Sequence, residues 1–213
     1  MTYIFELMPA LLSGLVVTLK VFGWTLILSV PLGIVVALGR LSKIKAIGAL
    51  AQWYIYIMRG TPLLLQLVFI FFGLPTIGVT LGRMPAAITA FVLNYGAYFG
   101  EIFRGGIESI DSGQYEAAEM LGMDKKQTFS RIILPQVVKR TLPAVGNEVI
   151  TLVKDTALIY VVGISELLRA GKIAANRDVT LLPLLAVGVI YLIITALMTN
   201  QFRTLEEKYA YYQ

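Results

Sequence analysis

The sequence contains neither cysteine nor histidine. Those two absences remove disulfides, thiolate and imidazole metal ligands, cysteine and histidine nucleophiles and imidazole bases. Charge is scarce as well: 15% of the 213 residues are Asp, Glu, Lys or Arg, against about a quarter in a soluble domain. A phosphate-binding G-x-x-x-x-G-K-[ST] loop is missing, since the only Gly-Lys pair, Gly171 and Lys172, is followed by Ile173. No basic residue precedes Lys20, so the charged start of a cleaved signal peptide is absent and the first apolar segment is expected to stay in the protein. There is no convincing internal repeat and no low-complexity tract.

What the chain has in abundance is apolar surface. It is 57% hydrophobic with a mean hydropathy of +0.77, which places it in a bilayer. A membrane-crossing helix needs about 20 mostly apolar residues. Five stretches qualify, at 11–38, 53–74, 86–103, 143–162 and 181–202, and the expected fold is an all-α membrane protein forming one domain over 1–213. Gly23, Pro31 and Gly33 are placed to bend or tilt the first helix. Arg59 and Gly60 interrupt the second, where Thr61 is positioned to cap a helix beginning at Pro62. A break near that helix's cytoplasmic end follows.

Orientation comes from the positive charges, because cytoplasmic loops hold the excess of Lys and Arg. One set of loops holds Arg40, Lys43, Lys45, Arg59, Arg104, Lys125, Lys126, Arg131, Lys139, Arg140, Arg203 and Lys208; the other holds Arg83, Arg169, Lys172 and Arg177. Twelve against four puts the N-terminus outside, the C-terminus in the cytoplasm and the long loop 104–140 inside. The net charge of +5 is thereby explained by topology, and no nucleic-acid partner is needed.

The loop 104–140 is patterned beyond a connector's needs. Asp111 or Ser112 can cap a first short helix through Gln114, Tyr115, Glu116, Ala117, Ala118 and Leu121, with Gly122 free to take the left-handed terminal position. Asp124 and Gln127 form a capping-box pattern opening a second helix over 125–134, which Pro135 is expected to stop. Tyr115, Ala118 and Leu121 recur at helical spacing as a small apolar stripe. Such a stripe needs a partner.

The string GQYEAAEMLGMDKKQTFSRIILPQ at 113–136 closely resembles the EAA loop of bacterial ABC importer permeases, in particular the polar amino-acid uptake family. RGTPLLLQLVFIFFGLP at 59–75, NYGAYFGEIFRGGIESI at 94–110 and NEVITLVKDTALIYVVGISEL at 147–167 are similar to segments of the same family. The resemblance implies a five-helix type I permease fold in the bacterial cytoplasmic membrane and a non-enzymatic subunit. It also implies a second permease copy or homologue, two ATP-binding subunits holding ATP and Mg, and an extracytoplasmic substrate-binding protein. By the same resemblance the coupling helix lies within 114–122, at Gln114, Tyr115, Glu116, Ala117, Ala118, Leu121 and Gly122. No catalytic residue and no resident metal or cofactor is expected in this chain.

A charge at bilayer depth costs roughly 3 kcal/mol, so each embedded one is a functional candidate. Glu148 and Asp155 are seven residues apart on the fourth helix. At about 100° per residue they share a stripe, about 10 Å apart, with Thr151 between them. Lys154 points about 100° away. Asp155 is the choice for an ammonium or cationic side chain, Glu148 the second acidic contact, and Lys154 or Thr156 the carboxylate partner. The alternative is a helix-packing salt bridge that neutralises Asp155. Asn94, Tyr98 and Glu101 share a face of the third helix and either complete the cavity or pack helices. Gly96 and Gly100 read as close helix packing. Lys20 is expected to snorkel outward, and Arg59 to anchor the second helix at the cytoplasmic interface against membrane lipid.

Two carboxylates facing one cavity favour a basic amino acid, arginine, lysine or histidine, over glutamine or glutamate. The competing readings are an importer of another polar solute, a membrane-embedded enzyme, and an ATP-independent channel.

Overall fold

The computed structural model describes residues 2–209; residues 1 and 210–213 of the expected single domain lie outside that description. Every regular element among the described residues is helical. In order they are α1 (Thr2–Arg40), α2 (Lys45–Gly60), α3 (Leu63–Val68), α4 (Arg83–Glu108), α5 (Ser112–Met120), α6 (Lys125–Gln127), α7 (Leu134–Asp155), α8 (Leu167–Asp178) and α9 (Leu182–Tyr209). A π turn (Phe69–Gly73) and a 3-10 turn (Leu74–Ile77) extend α3, a second π turn (Thr128–Ile133) joins α6 to α7, and a 3-10 helix (Thr156–Val162) extends α7.

The scaffold is α1 against α4. Leu7, Leu11, Gly14, Thr18, Val21, Thr25, Ser29, Gly33 and Val36 are buried along α1 at steps of three and four, one continuous helical face. Small residues let the two backbones close up. A Cβ on Gly33 would stand 2.6 Å from the Phe99 Cβ and 3.0 Å from the Gly100 backbone nitrogen. Gly96 and Gly100 in turn receive Leu32 and Val36, the packing role read from their spacing. These contacts run in step along both helices, so α1 and α4 are parallel and Tyr3 and Arg83 lie at one end of the bundle. Gly33→Val is expected to force the pair apart and cost about 1–3 kcal/mol as overpacking does. A fall in melting temperature of the detergent-solubilised protein checks this, and an unchanged melt would show that the contact yields.

Two helices are long and apolar enough to cross a membrane, Phe5–Arg40 and Leu182–Tyr209, and the bent pair Lys45–Gly60 with Leu63–Ile77 makes a third when read as one broken span. Leu185, Val189, Leu192, Ile193 and Leu197 project outward from α9, the surface expected of a helix solvated by lipid tails.

The first helix begins nine residues earlier than its apolar core suggests, at Thr2, and carries Pro9 and Pro31 inside it. The second is broken by 102°. Thr61 is the C-terminal cap of α2, held extended at φ −119° and ψ 148°, and Pro62 is the N-terminal cap of α3. The proline ring explains both, because it expels the residue before it from the helical region. The freed carbonyls at the end of α2 are taken up locally: Thr61 Oγ1 donates to the Ile57 carbonyl, and Gln66 Nε2 and Asn94 Nδ2 both donate to the Met58 carbonyl.

The expected stop at Pro135 does not occur. The wide π turn just before it absorbs the ring and the missing N–H, and α7 runs on through Pro143. Its α-helical part ends at Asp155 rather than Val162. The connection between α7 and α9 also holds α8 (Leu167–Asp178), which the hydropathy reading passed over as loop. The fully buried Glu166 caps it, its carboxylate accepting the N–H of Leu168 and of Arg169 at 2.6 Å each. At the far end of α8 the Asp178 carboxylate accepts from Arg177 and from the Tyr3 hydroxyl, fastening the start of α1. Those two donors, Arg177 foremost, pull the Asp178 carboxyl down to about 2, so this tie stays ionised at any ordinary pH.

Candidate functional site

The bend between α2 and α3 opens a cavity of about 560 Å³ beside α4 and α7. Glu148, Thr151 and Asp155 line it from α7, Asn94, Tyr95 and Tyr98 from α4, and Arg59 from the end of α2. The seven-residue step on α7 therefore does place both carboxylates on one wall. Asp155 stands at the junction where the α-helix tightens into the 3-10 helix, a place where helices commonly hinge. Its Oδ2 accepts from the Tyr95 hydroxyl at 2.8 Å, which orients the carboxylate.

Of the remaining candidates, Lys154, Thr156 and Glu101 do not line that cavity. Lys154 is exposed and outside the cavity. Thr156 is fully buried, and its hydroxyl donates to the Val153 carbonyl at 2.7 Å. Glu101 accepts from Arg104, which also binds Glu108, and faces a second cavity of about 670 Å³ with Arg40, Arg59, Gln52 and Trp53. Asn94 lines the first cavity but spends its amide on the Met58 carbonyl (2.9 Å) and Gln66 Oε1 (3.1 Å), which pins the bend.

Arg59 and Tyr95 were not among the sequence candidates for the cavity. Arg59 lies between the two cavities with its guanidinium 5.1 Å from the centre of the Tyr98 ring. It is the single cationic side chain lining the Asp155 cavity among the described residues. A charge directly before a helix-breaking Thr-Pro step was the available signal. Tyr95 carried none, because its partner lies 60 residues away in sequence.

The loop helix α5 is capped by Asp111, whose Oδ1 accepts from the Gly113 N–H at 2.7 Å. It ends in a Schellman turn: Gly122 sits at φ +71°, its N–H donates to the Glu119 carbonyl (2.9 Å), and the Met123 N–H donates to the Ala118 carbonyl (3.0 Å). The Asp124 and Gln127 capping box is present in full. The apolar stripe divides, however. Ala118 is buried against the protein's own second loop segment, while Tyr115, Met120 and Leu121 face outward, Leu121 at 79% exposure. Gln114, Glu116 and Ala117 are exposed with them.

A family model described as binding-protein-dependent transport system inner membrane component matches residues 29–211. The chain is 38% identical over 202 residues to the arginine transport system permease protein ArtQ of Bacillus subtilis, covering 94% of this chain and 92% of that one. It is 37% identical over 202 residues to the L-cystine transport system permease protein TcyB of the same organism, covering 94% and 86%. Among solved structures, the crystal structure of an amino acid ABC transporter with histidines matches at a TM-score of 0.91 and 35% identity over 97% of both chains.

Proposed function

We propose that this chain, which belongs to the family of inner membrane components of binding-protein-dependent transport systems, carries a basic amino acid through the cavity between Arg59 and Asp155. One observation bears most of the weight: two carboxylates and one guanidinium line the same cavity. A zwitterion's ammonium would pair with Asp155 and its carboxylate with Arg59, leaving Glu148 to meet a cationic side chain. The cavity's charge of minus one complements arginine, lysine or protonated histidine. Arg59 here takes the carboxylate role first considered for Lys154 and Thr156. Relatives named for arginine and for cystine transport support the amino-acid class and leave the side chain to be read from the cavity.

In this reading five crossings bring the N-terminus outside, with α1, the bent α2–α3 pair, α4, α7 and α9 as the spans. The charge distribution supports that orientation, since the α5 end of the bundle holds the excess of Lys and Arg. The subunit resides in the bacterial cytoplasmic membrane, pairs with a second permease, and receives cargo from an extracytoplasmic binding protein. Two partner subunits hold ATP and Mg and hydrolyse the nucleotide. They grip the outward face of α5, where Tyr115, Met120 and Leu121 offer apolar anchors beside Glu116 and Ala117.

Uptake by the complete complex in proteoliposomes tests the proposal. Uptake is expected only with ATP inside and binding protein outside, and arginine or lysine should outcompete equimolar glutamate by at least about tenfold, one charge-assisted contact. Flux without ATP would establish the channel reading, and a preference for glutamate would overturn the cargo assignment.

A further inference from the structure

The cavity that Glu101 faces meets the Asp155 cavity at the bend, where Arg59 and Gly60 line both. It runs along α2 from Ala49 to Gly60, about 16 Å of helix. Its direction follows from the helix packing. The guanidinium of Arg59 lies over Tyr98, while Gly33 packs on Phe99 and Arg40 stands seven residues further along α1. Arg40 is therefore about 10 Å closer than Gly33 to the end of the bundle that leads into α5. Along this descent the charges alternate: Asp155, Arg59, Glu101, Arg40. Glu101 is bound by Arg104 and also feels the charges of Arg59 and Arg40. Arg40 and Arg59 make no ion pair and donate no side-chain hydrogen bond among the described residues, so their N–H groups are open to a ligand. Gln52 adds an amide beside them. The first cavity thus sets two carboxylates against one guanidinium, and the second sets two guanidiniums against one carboxylate.

We propose that the second cavity is an exit subsite for the cargo's α-carboxylate, held by Arg59 and Arg40 on the way to the α5 end. The proposal deepens the importer reading and rests on it and on its orientation. A cargo passing from one cavity to the other keeps its carboxylate on Arg59 while its ammonium changes from Asp155 to Glu101, which has lone pairs beyond those that Arg104 takes. Neither charge is left bare inside the bundle, where a lone one is costly. The reversed charge balance then sets the direction. A cationic side chain attracted by the first cavity is repelled by the second, so the second binds more weakly and releases.

The experiment measures ATP-driven uptake of labelled arginine by the complete complex in phosphatidylcholine vesicles whose lumen faces the α5 end and is preloaded with unlabelled compounds. Lumenal arginine is expected to slow wild-type uptake at concentrations well above the outside half-saturation. Agmatine, which is arginine without its carboxylate, should be at least about tenfold weaker, the loss of a charge-assisted contact. Arg40→Gln should raise the lumenal arginine that halves uptake roughly tenfold, and Arg40→Lys should restore most of it. If Arg40→Gln does not assemble, the comparison of arginine with agmatine on the wild type carries the test. Equal inhibition by the two compounds, or none by arginine, overturns the subsite and leaves the importer intact. So does an unchanged inhibitory concentration in an assembled Arg40→Gln complex. A parallel rise in its outside half-saturation would place Arg40 at the Asp155 cavity and overturn a separate subsite. A shift that appears only in phosphatidylglycerol vesicles overturns it in favour of a lipid phosphate site. Wild-type uptake that needs neither ATP nor binding protein overturns the importer reading itself.

Discussion

Asp155→Asn is expected to raise the half-saturating cargo concentration for uptake by about 10- to 150-fold, the value of a hydrogen bond to a charged group at about 1.5–3 kcal/mol. The substitution keeps the side chain's shape and leaves an oxygen to accept from the Tyr95 hydroxyl, which holds the carboxylate at 2.8 Å. Packing at the junction of α7 and the 3-10 helix should therefore survive, and only the charge offered to the cargo disappears. ATP-driven uptake against cargo concentration in proteoliposomes measures it, with co-purification of the ATPase subunits and the melting temperature as controls on assembly. A half-saturation equal to wild type, in a complex that still assembles, would reduce Asp155 to helix packing. The alternative of an Asp155 salt bridge with Lys154 has little support in the geometry: Asp155 is bound by a hydroxyl and Lys154 is turned outward.

Gly122→Pro should have a comparable effect by a different route. At φ +71° Gly122 terminates α5, and its N–H is one of the two donors that close the Schellman turn. Proline fixes φ near −65° and removes that donor, a change worth about 3 kcal/mol or more where the native conformation is incompatible. Uptake is expected to fall on the order of 100-fold, the rate equivalent of that energy if the turn is needed for coupling. The outward set of Tyr115, Met120 and Leu121 would lose its fixed aim. Basal ATP hydrolysis by the partner subunits should persist, because nothing in this chain performs it in the proposed division of labour. Gly122 is exposed with open space around it, so the bundle itself should melt as before. Gly122→Ala, which costs only about 1–2 kcal/mol at a left-handed position, should show a milder loss. An assembled Gly122→Pro complex whose ATPase still responds normally to cargo would remove the mechanical role assigned to this turn.

How much of this was legible in the residues differs from element to element. The loop helices were readable because their determinants are local: Asp111 caps α5, Gly122 stops it, and Asp124 with Gln127 opens the next turn. The shared wall of Glu148, Thr151 and Asp155 was readable because helical geometry fixes which residues face one way over seven positions. The proline positions were less transparent. Pro62 breaks its helix by dictating the conformation of Thr61, whereas Pro135 is tolerated because the preceding turn widens. A sequence marks where a helix is weakened without saying whether neighbours will repair it.

The sequence by itself determined that this is an all-helical protein of a bilayer, that its positive charges gather toward one end, and that a capped loop helix lies among them. Each of those follows from composition or from interactions within a few residues. Only the tertiary structure decided that Arg59 faces Asp155, that Tyr95 holds it, that Lys154 and Thr156 stand apart, and that Arg59 also lines a second cavity with Arg40 and Glu101. The reason is distance along the chain: those relations join α1, α2, α4 and α7 across a 102° bend, and no periodicity within one helix encodes where another will lie.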